Sequence, residues 1–179
     1  MINSTKTLIQ SLLVLIVLTL FSCSNHEKKS EKLNTKKPYK ILIEAEDMML
    51  SEAKIYSEAG TRGDKVIKLL SEAAMATTEI TLPKGKYVMN AFMKTQDEMS
   101  DGFFLIADGK IKRTNNYRFN QWLHGMKFIV FDSDGVNPIK IQIASSYEGQ
   151  ISKEFGMFID YLEIIDFYNS AEALELWIK

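Results

Sequence analysis

The sequence predicts an all-β domain, a β-sandwich spanning residues 41–166, followed by a short C-terminal helix or tail over 167–179. Three observations carry this. Between Ile41 and Asp166 the chain breaks into about eight or nine short runs that are apolar or alternate apolar with polar. Turn residues separate these runs at intervals of roughly 8–12 positions, the rhythm of a sandwich. No stretch between them holds a sustained helical period.

The first run, Ile41 to Asp47, is predicted as a strand, and Met48 to Asp64 as an irregular connection given flexibility by Gly60 and Gly63. Val66 to Leu70, Ala76 to Leu82 and Lys86 to Lys94 follow as strands, with Pro83-Lys84-Gly85 turning between the last two. Tyr87, Met89, Ala91 and Met93 share one face of their strand. Thr95 to Asp101 is a polar loop, and Gly102 to Ala107 is apolar without alternation, as in a strand covered on both faces. Asp108-Gly109 is the clearest hairpin signal in the chain, because both turn positions tolerate positive φ. Thr114 to Asn120 is a polar and aromatic loop, Trp122 to Phe131 a strand, Asp132 to Asn137 a turn and Pro138 to Ala144 a strand. Ser145 to Glu154 is a polar loop, and Phe155 to Ile165 closes the domain. Asn169, with Glu172 three positions on, suits the start of a short helix bearing Leu174, Trp177 and Ile178.

Upstream of the domain the composition changes character. Lys6 precedes an apolar run from Leu8 to Phe21, shorter than the roughly 20 residues a bilayer span needs, so residues 1–22 are expected to be a signal peptide. Leu20-Phe21-Ser22-Cys23 resembles the lipobox of bacterial lipoproteins, which implies that Cys23 is lipidated. Residues 23–40 then form a lipid anchor and a basic, polar tether with too few apolar side chains to order itself. The expected location is the bacterial cell envelope, on the outer membrane and facing either the periplasm or the outside, with the membrane as a partner through the lipid.

Cys23 is the only cysteine, so thiolate zinc sites and cysteine nucleophiles are excluded from the folded part. From Ile41 onward 15 Lys and Arg stand against 21 Asp and Glu, a balance of −6. Such a domain is a poor partner for nucleic acid, whose affinity rests on phosphate neutralisation.

Glu44-Ala45-Glu46-Asp47 poses the chemical question. On a strand Glu44 and Glu46 share a face, and like charges so close are tolerated where a cation lies between them or where water screens both. Asp160, set into the apolar Phe158 to Ile164 run, offers a third carboxylate if the first and last strands meet. A hard cation held by three carboxylates and two glutamates facing water on an edge strand both satisfy these residues.

Four motifs in order resemble the carbohydrate-binding modules of families 6 and 35. They are Glu44-Ala45-Glu46-Asp47-Met48, Leu82-Pro83-Lys84-Gly85-Lys86-Tyr87-Val88, Asp108-Gly109, and Phe158-Ile159-Asp160-Tyr161-Leu162-Glu163-Ile164. The resemblance covers Ile41 to Asp166 and implies a β-sandwich jelly roll of the galactose-binding type. It implies a structural Ca²⁺ held by Glu44, Glu46 and Asp160, completed by backbone carbonyls of the Gly60 to Lys65 loop. It further implies polysaccharide or oligosaccharide binding by stacking and amide hydrogen bonds. Trp122 stands near the matching tryptophan position, beside Asn115, Asn116, Tyr117, Asn120 and Gln121, while Tyr56 lies in the connection that reaches the same rim. One departure is plain: Phe158 occupies the position where many such modules carry a ligand-binding asparagine.

Catalysis finds little support. His26 is in the tether and His124 stands alone. Asp97, Glu98 and Asp101 share a loop that suits solvation better than a glycosidase acid and base. Arg62-Gly63-Asp64 lacks the spacing of a phosphate loop. The sequence therefore points to non-catalytic glycan binding, with a structural or interaction subunit docking on an envelope protein as the alternative.

Overall fold

A computed structural model describes residues 39–97, 102–145 and 157–169. Cys23, the signal segment, residues 23–38 of the expected tether and the expected C-terminal helix lie outside the described residues; Lys40, placed in the tether by its charge, instead begins the first strand, paired opposite Ile165.

Among the described residues twelve strands form two antiparallel sheets in a jelly-roll sandwich, as predicted. The seven-stranded sheet holds β1 (Lys40–Glu44), β3 (Ala53–Ser57), β4 (Lys65–Leu69), β6 (Gly85–Lys94), β9 (Leu123–His124), β10 (Ile129–Ser133) and β12 (Phe158–Asp166). The five-stranded sheet holds β2 (Met49–Ser51), β5 (Met75–Ile80), β7 (Gly102–Ala107), β8 (Lys110–Asn115) and β11 (Ile139–Ser145), in the order β2-β5-β11-β7-β8.

Alternation along the strands makes the core. Met89, Ala91 and Met93 of β6 face inward with Ile159, Leu162 and Ile164 of β12, against Phe103 and Leu105 of β7 and Ile141 and Ile143 of β11. The opposite face of β6 presents Asn90, Phe92 and Lys94. In β7 the alternation is clearer than its sequence suggests: Phe103, Leu105 and Ala107 are buried while Phe104 and Ile106 are only half-buried. Asp108 and Gly109 both take positive φ, 51° and 67°, and join β7 to β8 as the hairpin signal predicts.

Four segments depart from the sequence-based expectation. The first strand stops at Glu44, and Ala45–Asp47 turns as a 3₁₀ helix with Ala45 buried, so Glu44 and Glu46 are not neighbours on one strand face. The connection after Met48 contains β2 and β3, whose short, largely exposed runs carry no strong alternation. Thr114 and Asn115 belong to β8. The run from Trp122 to Phe131 is broken, because Gly125 leaves β9 after two residues and Met126 N–H donates to Asn115 O at 2.9 Å.

Gly125 is fitted closely at this break. A Cβ there would lie 2.1 Å from Thr114 Oγ1 and 3.1 Å from Asn90 Oδ1, while its N–H donates to Ala91 O and its carbonyl accepts from Asn90 Nδ2, both at 2.9 Å. Gly125→Ala is expected to destabilise the domain by about 2 kcal/mol or more through this overlap, as measured by urea unfolding.

Candidate functional site

Strand β12 organises both candidate sites. Phe158 and Ile159 pair with β4, Tyr161 to Ile165 pair with β1, and Asp160 falls at the junction. The register with β6 also shifts between Ile159 and Tyr161, so Asp160 is released from regular pairing. Its carboxylate is only 1% exposed and accepts the Arg62 backbone N–H at 3.2 Å on Oδ1 and 3.0 Å on Oδ2. Burial pushes its pKa up to about 6, opposed by that N–H and assisted by the charges of Glu44 and Glu46.

The three carboxylates expected to hold calcium are thus electrostatic neighbours, reached by a route other than strand alternation. Glu44 ends β1, Glu46 comes from the 3₁₀ turn, and Asp160 comes from the bulge. Glu46 Oε1 lies 3.5 Å from the Cβ position of Gly63, whose φ is 71°. Among the described residues Glu44 Oε2 and Glu46 Oε2 are buried without a hydrogen-bond partner. Oxygen donors with unmet negative charge suit a hard cation. Among the described residues no three acidic, imidazole or thiol side chains sit at metal-holding distance, and Arg62 Nε is engaged with Glu44 Oε1.

The loop from Glu58 to Asp64 that brings Arg62 here is braced by Glu58 N–H to Asp64 O at 3.1 Å and Gly60 N–H to Asp64 Oδ1 at 3.2 Å. Glu58 also pairs with Lys94 of β6, whose Nζ lies 5.1 Å from the ring centroids of both Trp122 and Phe158. The acidic pocket and the aromatic residues are therefore joined through one ion pair.

Trp122 belongs to an aromatic stack on the outer face of the seven-stranded sheet. Trp122 lies parallel to Phe92 with centroids 5.7 Å apart, and Phe92 to Tyr161 at 5.1 Å. His124 packs beside Phe92 at 5.2 Å, with Nε2 3.0 Å from Glu163 Oε2. Sequence reasoning identified Trp122 and missed Phe92 and Tyr161. The signal was there: Phe92 alternates away from the core face of β6.

The predicted ligand residues separate by role. Tyr117 is 57% exposed, Asn120 and Gln121 are exposed, and Trp122 is half-buried. Asn120 turns the loop at φ 58°, its N–H donating to Thr95 O at 2.7 Å. Asn116 is 2% exposed: its Nδ2 donates to Gln121 O at 3.2 Å and its Oδ1 accepts from Arg118 N–H at 2.8 Å. Both ends of that amide are spent holding the loop, which removes Asn116 from the exposed set. Tyr56 is 39% exposed on β3 and meets Phe158 edge-on at 6.1 Å, rather than joining the Tyr117 loop. Phe158 is 9% exposed beneath Lys68 and Lys94.

No protein-family model and no curated protein sequence matches the chain. Among solved structures it is similar to a family 35 carbohydrate-binding module from Clostridium thermocellum, with 18% identity, TM-score 0.53, and 70% of this chain covering 97% of that one. It is also similar to the CBM36-1 domain of a multidomain xylanase from the hindgut metagenome of Trinervitermes trinervoides, with 12% identity, TM-score 0.54, and coverage of 70% and 96%. A GH26-CBM35 β-(1,4)-mannanase from Podospora anserina matches at 11% identity and TM-score 0.55, over 70% of this chain and 27% of the enzyme. The chain thus spans about a quarter of that enzyme's length. These likenesses establish the fold.

The raised pKa of Asp160 gives a signed pH dependence. The folded state takes up this proton below about pH 6, whereas an unfolded aspartate does so near 3.8. The group's contribution to stability therefore falls as pH rises from about 4 to about 6 and stays at its least favourable above that. In chelator, Asp160→Asn should flatten this part of the profile, compared by thermal melts across pH 4–8.

Proposed function

We propose that the protein is a lipid-anchored envelope protein that binds glycan without catalysis, its jelly roll stabilised by calcium. One observation carries the reading: Tyr117, an exposed ring, shares a loop with the exposed amides of Asn120 and Gln121 and with the half-buried Trp122. Ring faces stack on the apolar face of a pyranose, and amides beside them donate and accept from its hydroxyls. The fold supports the same reading, since it is shared over nearly the full length of two carbohydrate-binding modules.

Tyr117 supplies the accessible platform, and Trp122 sets the loop's position through its stack on Phe92. Asn116 holds the loop and leaves Asn120 and Gln121 to meet the ligand. Glu44, Glu46 and Asp160 would hold the calcium ion, which when bound supplies charge neutralisation that fastens β1 to β12. Cys23 would carry the lipid, and many copies on one membrane would raise avidity for a polymer.

The alternative, a structural or interaction subunit of the envelope that keeps the fold without sugar binding, is favoured by Phe158. That side chain sits buried under two lysines, at the position where many modules of the family that the sequence resembles carry a ligand-binding asparagine.

Affinity electrophoresis of the full chain in detergent, through a panel of plant, algal and host polysaccharides, separates the two. Tyr117→Ala should keep its stability within about 0.5 kcal/mol yet lose retardation, because its ring is exposed. Trp122→Ala should lose both retardation and stability. No retardation by any polymer favours the docking role. Calcium is tested by melting: chelator should lower the midpoint and added Ca²⁺ restore it, and a midpoint indifferent to both overturns the ion.

A further inference from the structure

The acidic pocket carries a cation of its own. We propose that Arg62 is a tethered counter-ion that competes with a divalent cation for Glu44, giving one site an arginine-closed form and a metal-loaded form. The proposal rests on the calcium reading above.

Arg62 reaches the pocket in two separable ways. Its backbone N–H bridges both oxygens of Asp160, a contact set by the loop and independent of the side chain. Its guanidinium meets Glu44 through Nε while the side chain stays 53% exposed, so it can leave for solvent without opening a cavity in the core. Arg62 lies between Thr61, in extended backbone at φ −92° and ψ 174°, and Gly63 at φ 71°.

Arginine neutralises the pocket incompletely. The guanidinium pairs with Glu44 alone, and among the described residues Glu44 Oε2 and Glu46 Oε2 stay buried without a hydrogen-bond partner. A divalent ion would bring twice the charge and accept oxygens from any direction, where the guanidinium offers a planar fork. The ion cannot take Glu44 fully while Nε holds Oε1. Pairing with Arg62 and ligation of a metal therefore draw on the same carboxylate, and each weakens the other.

The same competition gives the metal-free chain a resident positive charge in the pocket. Loss of the guanidinium would leave Glu44 with no cation from among the described residues, at the end of β1 where it pairs with Tyr161. The metal-free form should then depend on Arg62, and the metal-loaded form should not.

The test uses the full chain in detergent, stripped with chelator, with CaCl₂ as the probe in calorimetric titrations and thermal melts. Arg62→Gln, which keeps the backbone N–H, is expected to bind Ca²⁺ roughly fivefold tighter than the parent chain. In chelator it should melt below the parent, and in excess Ca²⁺ the two midpoints should converge. Where the variant folds only with Ca²⁺, that dependence supports the competition. If it folds under neither condition, Arg62→Lys replaces it, its more weakly paired ammonium still expected to tighten binding. Equal affinity in parent and variant overturns the competition while leaving calcium in place. Binding by neither protein overturns the calcium reading and the competition together.

Discussion

The structure depends on one backbone ladder, that of β12. It is paired along one edge with β6 and along the other with β4 and then β1, so the two ends of the described domain close against each other. Ile159, Leu162 and Ile164 face the core from this strand while Phe158, Tyr161 and Glu163 face outward. Every candidate functional element is referred to it. The acidic pocket lies where its two partners on one edge meet, and the aromatic stack is built on Tyr161.

Placing Asp160 at that junction gives it an unusual environment. Regular pairing would have hidden it among ladder bonds or turned it to solvent. The bulge instead aims a buried carboxylate at a loop N–H and at two further acids. Charge buried this way is unfavourable unless something positive answers it. Arg62 answers part of it, and the braced loop from Glu58 to Asp64 sets where that answer arrives. The Glu58–Lys94 pair then connects the loop to Trp122 and Phe158.

Much of the fold was legible in the sequence, because β-sandwich strands announce themselves by alternation and turn chemistry. Met89, Ala91 and Met93 alternate into the core as expected, and Asp108-Gly109 makes the hairpin. What was not legible is what depends on contacts distant in sequence. Strands β2 and β3 are short and exposed, so their residues carry no pattern to read. The end of β1 at Glu44 follows from the packing of Ala45, which composition does not mark. Alternation along a strand would set Glu44 and Glu46 on one face, but the chain turns into a 3₁₀ helix at Ala45, so the two glutamates are not strand neighbours. At the ligand loop Trp122 and Tyr117 were visible as aromatics. The commitment of Asn116 to Gln121 and Arg118, by contrast, is a property of the folded loop.

The pairing of β1 also decides how the domain would bear load. Lys40 sits opposite Ile165 and Glu44 opposite Tyr161, so the chain enters at the far end of β1 from the acidic pocket and the Trp122 stack. Those two ends are about 13 Å apart along the strand. A pull applied through the residues before Lys40, with the Trp122 loop held by a large immobile polymer, runs lengthwise along β1. The five paired positions of that strand would then be loaded in shear, all together, instead of peeling one by one. Shear is the stronger way to mount a sheet strand, and a cation joining Glu44 to Asp160 would rivet it at the end where the force leaves.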